Sequence, residues 1–436
     1  MMKNKFATQN IVVAGLGVTG QACVRFLQNQ GAKVTVWDTR AQLAVPESIT
    51  VPVVLGEPPV NFWQQVNLLI LSPGISPAIE AVSNARAAGV EVIGDIEFFA
   101  RLTNIPAFGI TGSNGKTTVT LLLTHILKNA GMKVCAAGNV GMPVLEILAM
   151  NLDAVVLELS SFQLESTSTL QLKAATILNV SDDHLDRHGS LQSYTETKQR
   201  IYAHCEHAVS WRAQPETAPV ATMAHTTFGL DESDSNFGLR NNWITWQGKP
   251  VVDMAKAQLV GRHNALNIQA ALALAMQAGV QPDTAAPAVY SFVSAPHRCV
   301  QIASHRRIRW IDDSKATNIG ATLAAIEGLG ATRTGKLILI AGGDAKGADL
   351  TALQPALNQY VDWIITLGRD GKKIAALTEQ SEYVNDMRDA VTSANRRAQA
   401  GDIVLLSPAC ASLDMFDNYA HRAKVFVDAV NEVAAQ

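Results

Sequence analysis

The stretch "IPAFGITGSNGKTTVTLLLTHILKNAG" (residues 105–131) decides how the chain folds. It opens on an apolar run that reads as a buried strand. It closes on apolar residues at helical spacing, and a glycine-rich turn joins the two. Strand, glycine turn and helix start put backbone N–H groups and the positive end of a helix dipole around an anion. The common phosphate loop has a glycine, four residues, then Gly-Lys-Ser/Thr. Here that register falls on Ile110, Gly109 stands one residue early, and Gly112 is extra. Gly112 and Gly115 permit close backbone approach. Lys116 adds a charge for terminal phosphates, the Thr117 hydroxyl can reach Mg²⁺, and Ser113, Asn114 and Thr118 complete the turn. The competing reading is an ordinary glycine turn capped by threonine; the flanking strand and helix argue against it.

Working outward, strands alternate with helical stretches, which predicts α/β domains with mostly parallel sheets. Upstream, "NIVVAG" (10–15), "KVTVWD" (33–38), "NLLILS" (67–72) and "EVIG" (91–94) read as strands of a Rossmann-like domain over residues 1–94. The central domain, P-loop ATPase-like, covers 95–296, with strands "AVVLELS" (154–160) and "AATILNV" (174–180) and a strong helix at 261–279. Within it, "TTFGL", "NNWITWQGK" and "PVVDM" predict a small antiparallel appendage to the central sheet. A third, Rossmann-like domain covers 297–436, with strands in "IRWIDDS", "KLILIAGG", "VDWIITLG" and "DIVLLSPA".

The 436 residues are 48% hydrophobic and 17% charged, enough for packed cores and too apolar for a disordered chain. A net charge of −3 gives no basic excess for nucleic acid or an anionic membrane. Five dispersed cysteines without a CxxC read as reduced thiols. No secretory leader or 18-residue apolar run is visible, so a soluble cytoplasmic protein without a membrane span is expected, acting as a monomer.

Other motifs fall at predicted strand ends, where open α/β sheets bind ligands. "GLGVTG" (15–20), with Asp38 closing the next strand, fits a dinucleotide site or simply a helix packed tightly on a strand. Glu158, in "LELSSFQLE" (157–165), is a hard oxygen ligand suited to Mg²⁺, or a surface helix cap. "NVSDDHLDRHG" (179–189) spaces His184 and His188 four apart; it lacks the Glu of a zinc H-E-x-x-H motif, so one histidine near a metal and a phosphate is favoured over zinc. Lys198 by itself reads as a solvated helix lysine. "DDSKATN", "AGGDAKGAD" and "LLSPACASLDMF" place Asp313, Lys315, Thr317, Lys346, Ser407 and Ser412 in three loops, which together predict a second-substrate pocket.

Taken together, these motifs resemble the Mur ligase family, the ATP-dependent amino-acid ligases of peptidoglycan synthesis, over nearly the whole chain. The family's loop reads T-G-(S/T)-N-G-K-(T/S), and "TGSNGKTT" (111–118) matches it, so the odd spacing is similar to a family variant. "GLGVTG", "SPGI" and the three C-terminal loops most resemble the member that adds D-glutamate to UDP-N-acetylmuramoyl-L-alanine. The resemblance implies an acyl-phosphate route, in which the substrate carboxylate takes the γ-phosphoryl group of ATP and an amine then attacks. It implies Gly112, Ser113, Asn114, Gly115, Lys116, Thr117 and Thr118 on the ATP phosphates, and Asn267, Arg298 and Asp313 on its adenine and ribose. Thr117 and Glu158 match ligands of one Mg²⁺, and His184 and Lys198 serve a second, the lysine as a CO₂-derived carbamate. Val18, Thr19, Thr39, Arg40 and Gly74 match contacts to the uridine and pyrophosphate; Asn139, Gln163 and His184 face the muramoyl-alanine. Lys315, Thr317, Lys346, Ser412, Leu413 and Tyr419 match the D-glutamate pocket, with Tyr419 where a related bacterial sequence has Phe. The alternatives are another amide ligase of this family, an NAD(P)-dependent oxidoreductase, and a nucleotide-binding protein without catalysis.

Overall fold

A computed structural model describes residues 6–259, 261–293, 297–330 and 333–435. The chain divides into two compact units. Unit 1 holds residues 1–178, 195–252 and 267–289; unit 2 holds 179–194, 253–266 and 290–436.

The first sheet of unit 1 contains β1 (Asn10–Ala14), β2 (Lys33–Asp38), β3 (Val53–Leu55), β4 (Leu68–Leu71) and β5 (Glu91–Gly94). Its order is β3-β2-β1-β4-β5, with every pair parallel. The central strands are runs of Val, Ile and Leu because helices cover both faces of such a sheet. The chain leaves β1 toward β2 and returns across it to β4, so the topological switch lies between β1 and β4. Open sheets of this kind bind ligands at such a point, beyond the strands' carboxyl ends.

The second sheet contains β6 (Ala107–Thr111), β7 (Val134–Gly138), β8 (Ala154–Glu158), β9 (Ala174–Ile177), β10 (His207–Trp211) and β11 (Ala224–Phe228). It is parallel throughout, in the order β11-β10-β9-β6-β8-β7. This corrects one expectation: most of "TTFGL" lies in β11, an edge strand of the central sheet and not part of an antiparallel appendage. The appendage is β12 (Phe237–Arg240), β13 (Trp243–Trp246) and β14 (Lys249–Asp253), a separate three-stranded sheet. Asn241 and Asn242 turn between its first two strands at φ 48° and 66°. That is the left-handed pair a two-residue hairpin needs, and asparagine tolerates it.

Unit 2 is built on β15 (Val300–His305), β16 (Ile308–Asp312), β17 (Leu337–Gly342), β18 (Trp363–Leu367), β19 (Ser381–Tyr383) and β20 (Ile403–Leu406). The order is β15-β16-β20-β17-β18-β19; β15 is antiparallel to β16 and the other pairs are parallel. One cluster, around Leu339, Leu353 and Ile374, packs on one face of this sheet, and another, around Trp310, Ile365 and Phe426, on the other. No helix among the described residues is long and apolar enough to cross a membrane.

Candidate active site

The glycine loop leaves β6 and enters the helix Lys116–Asn129. Gly112 and Gly115 take φ +147° and +83°. A Cβ on Gly115 would stand 2.4 Å from Asn267 Oδ1, so glycine lets Asn267 close over the loop. The Lys116 ammonium donates to the carbonyls of Gly112 at 2.7 Å and Ser113 at 2.9 Å, folding across the loop it must serve. Glu158 ends β8 directly beside Ile110. Its Oε1 accepts from Asn139 Nδ2 at 2.7 Å, while its Oε2 is buried without a hydrogen-bond partner. A buried, unpartnered carboxylate oxygen is costly unless something binds it. A hard divalent cation fits that oxygen, with the Thr117 hydroxyl on the first turn of the adjoining helix as the second donor.

Two more candidates of unit 1 are buried. Lys198 is buried at 1% exposure, its Nζ 3.1 Å from Gly112 O and 3.4 Å from Thr111 Oγ1. The solvated lysine that the isolated sequence read there is therefore replaced by a buried one lodged under the phosphate loop. Gln163 sits in the short helix Ser161–Glu165, where it forms a capping box with Ser160. Its Nε2 donates to Asp95 Oδ2 at 3.3 Å, and burial raises the Asp95 pKa to about 6. The sequence reading passed over Asp95.

At the switch point of the first sheet, Val18 opens a helix and is 74% exposed, with Thr19 next to it. Thr39 and Arg40 follow β2, and Gly74 lies past β4 with open space where a Cβ would be. A Cβ on Gly20 would meet Gly15 O at 1.8 Å, so the last glycine of "GLGVTG" serves helix-on-strand packing. Asp38 accepts from Leu16 N at 2.9 Å and from Arg40 N, Nε and Nη2 at 3.0, 2.9 and 2.8 Å. The Arg40 hydrogen bond leads in holding its pKa down to about 2. A dinucleotide site keeps this acid for a ribose hydroxyl; here both oxygens are already engaged.

Unit 2 gathers the remaining candidates on loops after its strands. Asp313 accepts from Ser407 Oγ at 2.7 Å and from Cys299 N, beside Arg298, at 3.2 Å. Burial pushes its pKa up to about 7. The Lys315 ammonium lies 3.9 Å from the centre of the Tyr419 ring, a cation–π contact. Thr317 N donates to Lys315 O at 2.9 Å, shaping the same turn. Lys346 pairs with Asp183, which also accepts from Asn318 Nδ2 at 3.1 Å. Backbone bonds between Asp344 and Ala411, 3.0 and 2.8 Å, tie the Lys346 loop to the loop carrying Ser412 and Leu413. Ser412 is buried and Leu413 is 73% exposed. His184 and Lys346 hold φ 55° and 52°, left-handed values that cost a side-chain-bearing residue and gather at functional loops. His188 packs on the Tyr194 ring. Asp183 was not singled out from sequence; nothing in its spacing marks it.

Comparison with known proteins gives this geometry a family. Residues 9–94 match "Mur ligase MurD-like, N-terminal domain", 110–275 "Mur ligase middle domain", and 297–410 "Mur ligase, glutamate ligase domain". UDP-N-acetylmuramoylalanine–D-glutamate ligase of Idiomarina loihiensis is 42% identical, covering 97% of this chain and 96% of that relative. The enzyme of the same name from Pseudomonas putida is also 42% identical, covering 97% of each chain. The chain belongs to the Mur ligase family. A solved UDP-N-acetylmuramate-alanine ligase from Thermotoga maritima superposes with a TM-score of 0.64 at 18% identity, covering 98% of this chain and 99% of that one. At that identity the match speaks for the fold alone. A Mur ligase fold accounts for the three large sheets, and it puts the variant phosphate loop at the head of the middle domain.

Proposed function

We propose that this chain is an ATP-dependent ligase that joins D-glutamate to UDP-N-acetylmuramoyl-L-alanine, an amide-forming step of peptidoglycan precursor synthesis. The observation that carries the chemistry is Glu158, whose buried and unpartnered Oε2 ends a strand beside the phosphate loop. The relatives named for this reaction, matched over nearly their whole length, support the substrates.

The reaction balances in two steps. A carboxylate oxygen of the L-alanyl group attacks the γ-phosphorus of ATP, the bond to ADP breaks, and an acyl phosphate forms. The D-glutamate amine then attacks the acyl carbonyl, phosphate leaves with the bonding pair, and the amine gives up a proton. Such steps need positioning and charge neutralisation more than a protein nucleophile. The N–H groups of residues 112–118 hold the phosphates, and Lys116 swings from its own loop's carbonyls to the γ-phosphoryl group. Thr117 and Glu158 would hold one Mg²⁺; His184 and Lys198 would serve a second, Lys198 as a carbamate whose Nζ gives up two protons as it bonds the carbon of CO₂. The ions, when bound, supply Lewis-acid charge to the phosphoryl oxygens. Asn267, Arg298 and Asp313 take the adenosine. Val18, Thr19, Thr39, Arg40 and Gly74 take the uridine diphosphate, with exposed Val18 offering an apolar face to the base. Asn139, Gln163 and His184 face the muramoyl-alanine. Lys315, Thr317, Lys346, Ser412, Leu413 and Tyr419 take D-glutamate, two ammonium groups facing two carboxylates. The chain works as a cytoplasmic monomer, which sedimentation of the purified protein checks.

The test is phosphate release from ATP with UDP-N-acetylmuramoyl-L-alanine, comparing D-glutamate with L-glutamate, L-alanine and diaminopimelate. Release with D-glutamate alone, and a product heavier by one glutamyl residue, is the expected result. Release with another amino acid would keep the ligase chemistry and overturn the amino-acid pocket. No release with any of them would overturn the catalytic reading.

A further inference from the structure

The pocket loops of unit 2 converge on a residue outside every motif considered so far. The helix Tyr419–Ala434 starts at Asn418, whose side chain accepts from His421 N at 2.9 Å. One turn in, Arg422 points inward and is only 2% exposed. Its Nη1 donates to Cys410 O at 3.1 Å and its Nη2 to Ser314 O at 2.9 Å, while its Nε is buried without a partner. Those carbonyls belong to different loops. Ser314 precedes Lys315, Cys410 stands two residues before Ser412, and Tyr419 opens the helix that carries Arg422. A single guanidinium thus pins all three elements that bear pocket residues, apart from the Lys346 loop, which is itself tied to Ala411.

The charge is the second part of the observation. Burial lowers the Arg422 pKa to about 10 against the longer-range pull of Asp414, Asp312 and Asp313, which leaves it a cation at neutral pH. Among the described residues no carboxylate lies within ion-pair distance of it. A buried cation satisfied only by carbonyls is expensive, and a packed hydrophobe in its place would avoid that cost. The planar fork of arginine aims two separate nitrogens at carbonyls of different loops, where a lysine would bring a single nitrogen.

We infer that Arg422 is a positioning residue of the amino-acid pocket: it locks the loops around Lys315 and Ser412 to the Tyr419 helix, so that both loops hold the shape that receives a dicarboxylate. This rests on the functional reading above. The test is steady-state phosphate release by R422M, which keeps an unbranched apolar stem without the charge or the fork. KM for D-glutamate rises at least tenfold, while KM for ATP and for the nucleotide sugar stays within twofold of wild type. A purely structural role would lower kcat or protein yield and leave the D-glutamate KM unshifted; that result overturns the assignment. If R422M does not fold, R422K carries the test: it keeps the charge and loses the fork, so a threefold to tenfold rise confined to D-glutamate is expected, and an unshifted value overturns the assignment. D-glutamate-independent behaviour of the wild-type chain itself would instead overturn the functional reading, which keeps the two failures apart.

Discussion

The candidate phosphate site in unit 1 and the candidate amino-acid pocket in unit 2 are made of different material. The first is seven consecutive residues, and backbone does most of the work: two glycines at positive φ, a helix start, and Lys116 folded on its own carbonyls. The second is assembled from side chains on separate loops, several of them on non-glycine residues held left-handed, Lys346 and Ala409 among them. A backbone cradle recognises what every phosphate shares. A pocket of side chains can be retuned loop by loop without touching the chemistry. The contrast predicts that damage to the candidate phosphate site stops turnover for any amino acid, whereas damage to the candidate amino-acid pocket changes which amino acid is used and how tightly it is held.

The largest effect is expected at Lys198. Replacing it by alanine removes both the group under the phosphate loop and the proposed carbamate. Phosphate release should fall about a thousandfold or more, the scale of losing one preorganised charge-stabilising group. Added bicarbonate should not restore it, and ¹³C-bicarbonate should label wild-type protein but not K198A. Near-normal activity in K198A would break the carbamate assignment and leave Lys116 and Glu158 to carry the phosphate chemistry alone.

Next comes the buried acid Glu97 of unit 1. It accepts from Ser168 N at 2.7 Å, Thr169 N and Oγ1 at 2.9 Å, and Arg101 Nε at 2.8 Å. Burial alone would raise its pKa; these donors outweigh burial and hold it down from 4.5 to about 2. A depressed carboxylate contributes stability that is whole above pH 4.5 and is lost as pH falls through about 2. E97Q should therefore cost roughly 3 kcal/mol at pH 7, read by urea unfolding, and the gap to wild type should close between pH 4.5 and 2. A gap that stays constant with pH would mean the donors are not serving a charge.

In unit 2, Lys346→Ala should raise KM for D-glutamate roughly 10- to 100-fold, the worth of a hydrogen bond to a charged group, and leave KM for ATP unchanged. If both constants move together, the division of labour between the two sites is wrong.

How far each region could be read in the sequence follows the same contrast. The phosphate loop was legible because its residues are contiguous and its flanking strand and helix are regular. The strands it predicted around Val12, Val156 and Leu339 are continuous apolar runs buried on both faces, and they appear where expected. β3 and β19 escaped because three half-exposed residues leave no periodicity to detect. β15 escaped because its pattern, edge-on and mostly exposed, reads as polar loop. β11 was assigned to the wrong sheet: short β-branched runs between turns look alike whether the partner strand is parallel or antiparallel. At the candidate site, Glu158 announced itself as an acid closing an apolar strand. Lys198, Asp95, Asp183 and Arg422 did not, since their significance lies in burial and in partners 12 to 163 positions away.

Asp313 sharpens the comparison with the smallest expected effect, because it is the converse of Glu97. Both are buried carboxyls with hydrogen-bond donors; at Asp313 these are Ser407 Oγ and Cys299 N, with the Arg298 charge beside them. Burial wins there, and its pKa goes up from 3.8 to about 7. A raised carboxyl contributes stability in full below pH 3.8 and loses it as pH rises through about 7, the opposite slope to Glu97. Asparagine does not titrate. D313N should thus match or fall below wild type in unfolding free energy at pH 5 and exceed it at pH 8, by on the order of 1 kcal/mol once the weaker acceptor is counted. The same change should weaken ATP if Asp313 meets the ribose as proposed, because the hydroxyl would be offered an amide in place of a carboxylate. Unit 2 would then be holding an ionised acid at a cost in stability for the sake of its nucleotide. A D313N difference that does not change between pH 5 and pH 8 would show that Asp313 stays ionised through that range, held by donors as firmly as Glu97 is.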